Sequence, residues 1–268
     1  MSETPDEERP SLITVAGRGV ISLAVFVGGW LRFIGSSLRV SIRHGLPLRI
    51  VVQQVYEIGY RSLPLTAIAA FAIGLVMALQ TMFLLKKFGV MQYVAVGVGL
   101  AMTRELGPVI TALMVAGRAG SGISAELGSM RVTRQIDALR VLAVDPQRYL
   151  VGTRIAACVI ALPLLTAVSD ILGILGGALV ATTLGGVTPE GYLETTLYYV
   201  TLSDVLTGLA KTVFFALIIS GTAAYYGFHT EGGTSGVGRS TTATVVVSSL
   251  MIFVSDVFMT QLLVTVGY

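Results

Sequence analysis

The sequence predicts an all-α membrane protein with five transmembrane helices, preceded by an N-terminal interfacial or re-entrant amphipathic helix and carrying a cytoplasmic helix between the second and third spans. Three observations predict it. The 268-residue chain is 54% hydrophobic and only 12% charged, with a mean hydropathy of +0.81, outside the range of soluble domains. Apolar runs of the ~20 residues that a helix needs to cross the hydrocarbon core recur along the chain. Glycine, which bilayer helices use for close approach, supplies 31 residues.

Taken in order, residues 1 to 11 open with MSETPDEERP, acidic and proline-containing, and read as a disordered tail rather than as the basic start of a signal peptide. Residues 12–61 read as interfacial amphipathic helices. The apolar run between Arg18 and Arg32 holds 13 residues, too short to span comfortably. The following stretch mixes apolar clusters with Arg39, Arg43, Arg49 and Arg61, and fits a helix pair on the membrane surface broken near Pro47. A five-span domain is expected over 62–268. Its spans are Ser62 to Leu85, Phe88 to Gly117, Ile155 to about Leu184, Val205 to Phe228, and Thr241 to Val266. Gly173 with Gly177, and Ala95 with Gly99, are small-residue pairs suited to helix packing within the bundle or between subunits. Pro108 and Pro163 are candidate kinks.

Between the second and third spans lies a charged island, Ala116 to Arg154, with six arginines and three acids. Basic residues concentrate on the cytoplasmic side, so the island and the arginine-rich N-terminal region belong together there. The connection from 185 to 204, with Glu190, Glu194 and Asp204 and no basic residue, then lies outside, as does the C-terminus; Lys86 and Lys87 are a small exception. The segment from Glu126 to Arg140 is expected to form a helix presenting Met130, Ile136 and Leu139 among charges, broken by Asp145 and Pro146. Such a surface suits a groove on a soluble partner. The glycine-rich stretch from Gly227 to Ala243 reads as a flexible cytoplasmic turn, with Arg239 as a second contact.

Several classes are disfavoured. The basic residues flank apolar runs and form no aromatic-interleaved patch for nucleic acid. Cys158 is the single cysteine, and His44 and His229 are far apart in sequence, so no metal site is expected. None of Lys86, Lys87 and Lys211 follows a glycine as a phosphate-cradling loop requires, so any ATP-driven step belongs to another polypeptide. An intramembrane hydrolase would need a base beside Ser121, and no histidine lies in a span. An ion-driven secondary transporter of an amphipathic substrate is the alternative reading, although the two halves of the chain lack the self-similarity common in that class.

The run RELGPVITALMVAGRAGSGISAELGSMRVTRQIDALRVLAVDPQRYLVGTR resembles the signature region of the MlaE (YrbE) family of ABC-transporter permeases, which work with MCE-domain lipid-transport proteins. A weaker similarity extends from about Leu46 to the C-terminus. The resemblance implies a homodimeric permease in the inner membrane of a double-membraned bacterium, moving phospholipid between inner and outer membranes. Its implied partners are a cytoplasmic ABC ATPase, which binds the ATP and Mg, a periplasmic MCE-domain protein and in some relatives a STAS-domain protein. No catalytic residue and no cofactor are expected in this chain. Carried onto this sequence, the coupling helix lies within 118–154, with Glu126, Met130, Arg134, Ile136, Asp137 and Leu139 facing the ATPase. Many relatives have Glu where this chain has Arg134, which changes the charge offered to that partner.

Ionisable residues inside spans mark functional or paired positions, and Arg104, Glu105, Asp170, Lys211 and Asp256 are the candidates. Arg104 and Glu105 point about 100° apart on a helix, so each is expected to meet a group on another element. The resemblance places them near the lipid cavity, with Arg104 attracting phosphate and Glu105 at its polar rim. Leu75, Leu79 and Met82, at i, i+4 and i+7 of the first span, are candidate apolar walls.

Overall fold

The computed structural model describes residues 12–266, and among them the regular structure is helical. The tail expected over residues 1 to 11 lies outside the described residues. Helix α1 runs from Leu12–His44, α2 covers Leu48–Lys86, α3 Met91–Val132, α4 Gln135–Val141, α5 Gln147–Thr183, α6 Pro189–Tyr199, α7 Leu202–Phe228 and α8 Gly233–Val266. Five of these, α2, α3, α5, α7 and α8, are long and apolar enough to cross a membrane.

The N-terminal region, expected as interfacial amphipathic helices broken near Pro47, is one long helix followed by a break at that proline. Helix α1 is continuous for 33 residues, because Phe26, Trp30, Phe33, Ile34, Ser37 and Ser41 fall on one stripe at spacings of three and four. That stripe packs on the end of α7, where Phe33 meets Tyr225 and Phe228, and Phe26 meets Tyr225 and Tyr226. The break comes at Gly45, whose φ of +69° favours glycine, and at Pro47. Residues from Leu48 onward, expected as an interfacial helix, are continuous with the helix of the first span. A π turn at Tyr56–Tyr60 and a turn at Arg61 and Ser62 mark the junction, and Pro64, lacking an amide hydrogen, resumes the helix in its first turn.

Helix α5 is the centre of the bundle, packed against α2, α3 and α7. Its contact with α2 is backbone to backbone: a β-carbon placed on Gly74 would lie 1.9 Å from the Gly173 carbonyl oxygen. Gly177 faces Val98 and Tyr192, and Gly99 faces Val200 and Thr196, so both small-residue pairs serve packing within the chain. Replacing Gly74 with valine is therefore expected to cost about 1–3 kcal/mol through overpacking, read as a lowered unfolding temperature in detergent. Substitution at Gly28, which has open space around it, serves as the control.

Two apolar cores fill the bundle. The larger, at the end carrying the arginine island, includes Ile123, Leu127, Ile136, Leu150, Phe215 and Ile219. The smaller, toward the opposite end, gathers Ala70, Ala78, Val94, Val98, Met102 and Tyr192 from α2, α3 and α6. The Tyr192 hydroxyl, buried there, donates to the Ile174 carbonyl at 3.3 Å. Helix α6 thus closes that end of the bundle.

The island is less of a loop than its charge suggests. Helix α3 continues unbroken through its first part to Val132, because Ile123, Ser124, Leu127 and Gly128 keep a buried face against α7 and α8. The expected single helix from Glu126 to Arg140 is in fact two pieces. The chain turns at Thr133 and Arg134, the latter in the left-handed region at φ +60°, and α4 begins at Gln135. A second left-handed residue, Ala143 at φ +57°, ends α4 before Asp145 and Pro146. The glycine-rich stretch after α7 is likewise short. Only His229 to Gly232 form a turn, with Gly232 at φ +87°, and the residues that follow are the first turns of α8.

Candidate functional site

Pro108 sets the geometry of the site. Without an amide hydrogen it cannot bond the carbonyl four residues back, that of Arg104, and the helix answers with a π turn at Met102–Leu106. The orphaned Arg104 carbonyl accepts from Lys211 Nζ of α7 at 3.2 Å. The same turn swings the Arg104 and Glu105 side chains to different neighbours. Both neighbours lie on other helices.

Lys211 is 1% exposed and is the hub. Its ammonium donates to Glu105 Oε2 at 2.6 Å and to the Thr260 hydroxyl of α8 at 2.7 Å, and Asp256 Oδ1 lies 3.0 Å away. Thr260 in turn donates to Glu105 Oε1 at 3.1 Å. Burying an ammonium in a bilayer is tolerable only with partners of this kind. Spans α3, α7 and α8 are thereby tied at one point.

Arg104 takes a separate partner. Its Nε donates to Asp204 Oδ1 at 2.6 Å, while Asp204 Oδ2 accepts from the Thr201 amide at 2.8 Å and hydroxyl at 2.7 Å in the box that caps α7. Asp204 is thus buried and saturated, and Arg104 remains 48% exposed. Arg104, Glu105, Asp204, Thr207, Lys211, Thr260 and Leu263 line a cleft of about 60 Å³ at the end of the bundle opposite the island. A guanidinium with one edge fixed and the other open, beside a part-exposed carboxylate, can hold a phosphate-bearing group at membrane depth.

Of the intramembrane charges expected to be functional or paired, Lys211, Asp256, Arg104 and Glu105 come together here. Asp170 does not. It is buried on α5 against Gly107, where a β-carbon would lie 1.8 Å from Oδ1, and neither of its carboxyl oxygens has a hydrogen-bond partner among the described residues. Leu75, Leu79 and Met82, the expected apolar walls, do not line this cleft. Leu75 and Met82 pack on the smaller core, Leu79 is exposed, and the apolar lining of the cleft comes from Leu263. Sequence reading missed Asp204 and Thr260. For Asp204 the signal was available, since Thr201-x-x-Asp204 is a capping spacing.

The island residues divide into core and surface. Ile136, expected to face a partner, is 0% exposed in the larger core, and Met130 and Leu139 pack partly against it. The period of the short α4 turns Ile136 inward and leaves Val141 and Leu142 outward, 87% and 71% exposed. Glu126 pairs with the buried Arg154 at 2.7 Å, and Arg154 also donates to the Leu150 carbonyl at 2.8 Å. Asp137 bridges Arg131 at 3.4 Å and Arg140 at 3.1 Å across the turn. Arg134 and Arg239 are exposed, Arg239 beside the Gly232 turn. Arg134, Arg140, Val141 and Leu142 are therefore among the exposed residues of the island and cluster on and beside α4.

The family model described as Permease MlaE matches residues 51–262, which covers three of the spanning helices whole and all but the outer ends of the first and last. A probable ABC transporter permease protein of Rickettsia felis is 41% identical over 246 residues, 92% of this chain and 95% of that protein. A probable ABC transporter permease protein of Synechocystis sp. is 38% identical over 215 residues, 80% of this chain and 82% of that one. The intermembrane phospholipid transport system permease protein MlaE of Haemophilus influenzae is 34% identical over 260 residues, 96% of this chain and 99% of that protein.

Proposed function

The chain belongs to the MlaE permease family, and from that membership we propose that it is the membrane subunit of an ABC transporter that moves phospholipids between the inner and outer membranes of a double-membraned bacterium. The observation that carries this reading is the match across the five-helix bundle, with the relative from Haemophilus named for intermembrane phospholipid transport. The chain sits in the inner membrane as a homodimer, with the island in the cytoplasm and the Arg104 cleft toward the periplasm. It does no covalent chemistry. A separate ATPase binds ATP and Mg and pushes on the accessible part of the island. A periplasmic MCE-domain protein, and in some assemblies a STAS-domain protein, complete the system.

In this reading Arg104 holds the headgroup phosphate, and the Glu105–Lys211–Asp256 hub fixes the position of the helices around it. Asp204 Oδ2 keeps its Thr201 hydrogen bonds when Arg104 is removed but the buried Oδ1 loses its cation, so crosslinking is read beside the unfolding temperature of each variant. Arg104→Ala is expected to reduce crosslinking of a photoactivatable phospholipid to α3 and α7 by about tenfold, the scale of one charge-assisted contact. Unaltered crosslinking would place the headgroup elsewhere. The reading as a whole is tested by purifying the assembled transporter, identifying its subunits and bound lipids by mass spectrometry, and replacing the Walker lysine of the ATPase. Lipid movement that persists in that variant would refute it.

A further inference from the structure

A second polar cleft lies at the island end of the bundle, between the foot of α2 and helix α3, and has a volume of about 400 Å³. Gln53, Glu57, Arg61, Arg118, Gly122 and Glu126 are among the residues that line it. Arg118 belongs to a second π turn of α3, Ala116–Gly120, which faces the π turn Tyr56–Tyr60 of α2. One of its nitrogens, Nη1, is anchored, donating to the Glu57 carbonyl at 3.0 Å and to the Ser62 hydroxyl at 2.8 Å. Both partners are neutral groups.

The charge count around the cleft is what gives it a ligand. Glu57 is neutralised by Arg61 at 2.8 Å, and Glu126 by Arg154 at 2.7 Å. Among the described residues no carboxylate pairs with Arg118. With Arg154, which lies behind Glu126 and outside the cleft wall, counted against that carboxylate, Arg118 is the one cation of the group without an acidic partner, and its guanidinium is held by the anchored Nη1. The free edge is preorganised for a bidentate anion, for which a planar guanidinium is better shaped than an ammonium.

Position adds a role. Arg104 and Arg118 lie on the same helix, and Glu105, Val109, Leu113, Gly117, Ser121 and Glu126, all at least partly exposed, recur along it at spacings of four to five. That makes one stripe. The outer flanks of the bundle, α2 and α8, make no substantial contact with each other, so the stripe is not closed over by its own chain. Each arginine sits on a π turn near one end of it.

We propose that the Arg118 cleft is a second binding station for a phosphate-bearing anion, at the island end of the path whose opposite end is the Arg104 cleft. The proposal rests on the phospholipid-permease reading for the identity of that anion as a lipid headgroup. A phosphodiester with its acyl chains in the bilayer fits a cleft at the membrane boundary that is polar at its mouth and borders the apolar Ile58 and Ile123. A water-soluble phosphate would satisfy the same guanidinium, and competition separates the two.

The test uses the full chain in nanodiscs containing phosphatidylglycerol with a diazirine near the headgroup, followed by peptide mapping of the crosslinks. Labelling is expected both on Gln53–Arg61 and Ala119–Glu126 and on the peptides around Arg104. Arg118→Gln should lower the first set by about tenfold and leave the second unchanged, and Arg118→Lys should retain part of the labelling. Glu57→Gln frees Arg61 without touching the carbonyl that anchors Arg118, so it should raise labelling of the cleft, a gain that misfolding does not produce. Unchanged cleft labelling in Arg118→Gln, or no gain in Glu57→Gln, overturns the second station even if the Arg104 peptides are labelled. Absence of labelling at both ends instead defeats the phospholipid reading. Suppression by millimolar inorganic phosphate assigns the station to a soluble anion and overturns its place on the lipid path; labelling that resists phosphate supports the headgroup.

Discussion

Lys211→Met is expected to unfold most of the protein or prevent its accumulation in the membrane. The substitution keeps much of the side-chain volume and removes the charge at the centre of the hub, leaving Glu105 and Asp256 facing each other across Thr260. Breaking a buried ion pair by removing one partner costs roughly 3–5 kcal/mol, because the other charge stays buried and unpaired. Here two carboxylates lose their cation, against a total stability of about 5–15 kcal/mol for a typical domain. The measurement is thermal unfolding of the purified chain in detergent, beside the yield of inserted protein. A companion variant separates charge from packing: Lys211→Met combined with Glu105→Gln and Asp256→Asn removes the orphaned charges and is expected to recover much of the loss. An unfolding temperature in the single variant close to that of the parent would show that the hub is solvated, and that the ion pairs do not hold α3, α7 and α8 together.

The hub also shows where sequence reading reaches and where it stops. Arg104, Glu105, Lys211 and Asp256 stand out as charges in apolar runs, so their importance is visible one residue at a time. Their pairing is not. It depends on the π turn that Pro108 forces and on the Arg104 carbonyl it frees, a three-dimensional consequence of one missing hydrogen-bond donor. The number of spans was legible for the same reason as the charges, since length and hydropathy are local properties. Helix ends were not, and the second span runs on to Val132 because small and apolar residues within the island keep a buried face that the surrounding arginines disguise. Arg154 shows the limit most clearly: counted with the island's exposed charge, it is buried and serves as the partner of Glu126. The stripe of Leu75, Leu79 and Met82 illustrates the converse, since helical spacing marks a face without saying whether that face meets another helix, a cavity or lipid.

The same distinction decides how the coupling proposed for the island is tested. If hydrophobicity among charges were sufficient, Ile136 and Leu142 would be equivalent contacts, and aspartate at either would abolish binding of the ATPase for the same reason. The structure separates them. Ile136 lies fully buried in the larger core, so Ile136→Asp places a carboxylate with no partner among apolar side chains and is expected to cost about 4 kcal/mol or more. Loss of ATPase copurification in that variant would follow from a damaged fold. Leu142→Asp changes a side chain that is 71% exposed, beside Val141 and Arg140, and its expected effect on stability is within about 0.5 kcal/mol. If the exposed end of α4 is the surface that seats in the ATPase, Leu142→Asp abolishes copurification at an unchanged unfolding temperature, since a charge is then buried at the centre of an apolar contact. Copurification that survives Leu142→Asp and Val141→Asp together would move the coupling surface off α4, toward Arg134 at the preceding turn or Arg239 at the start of α8.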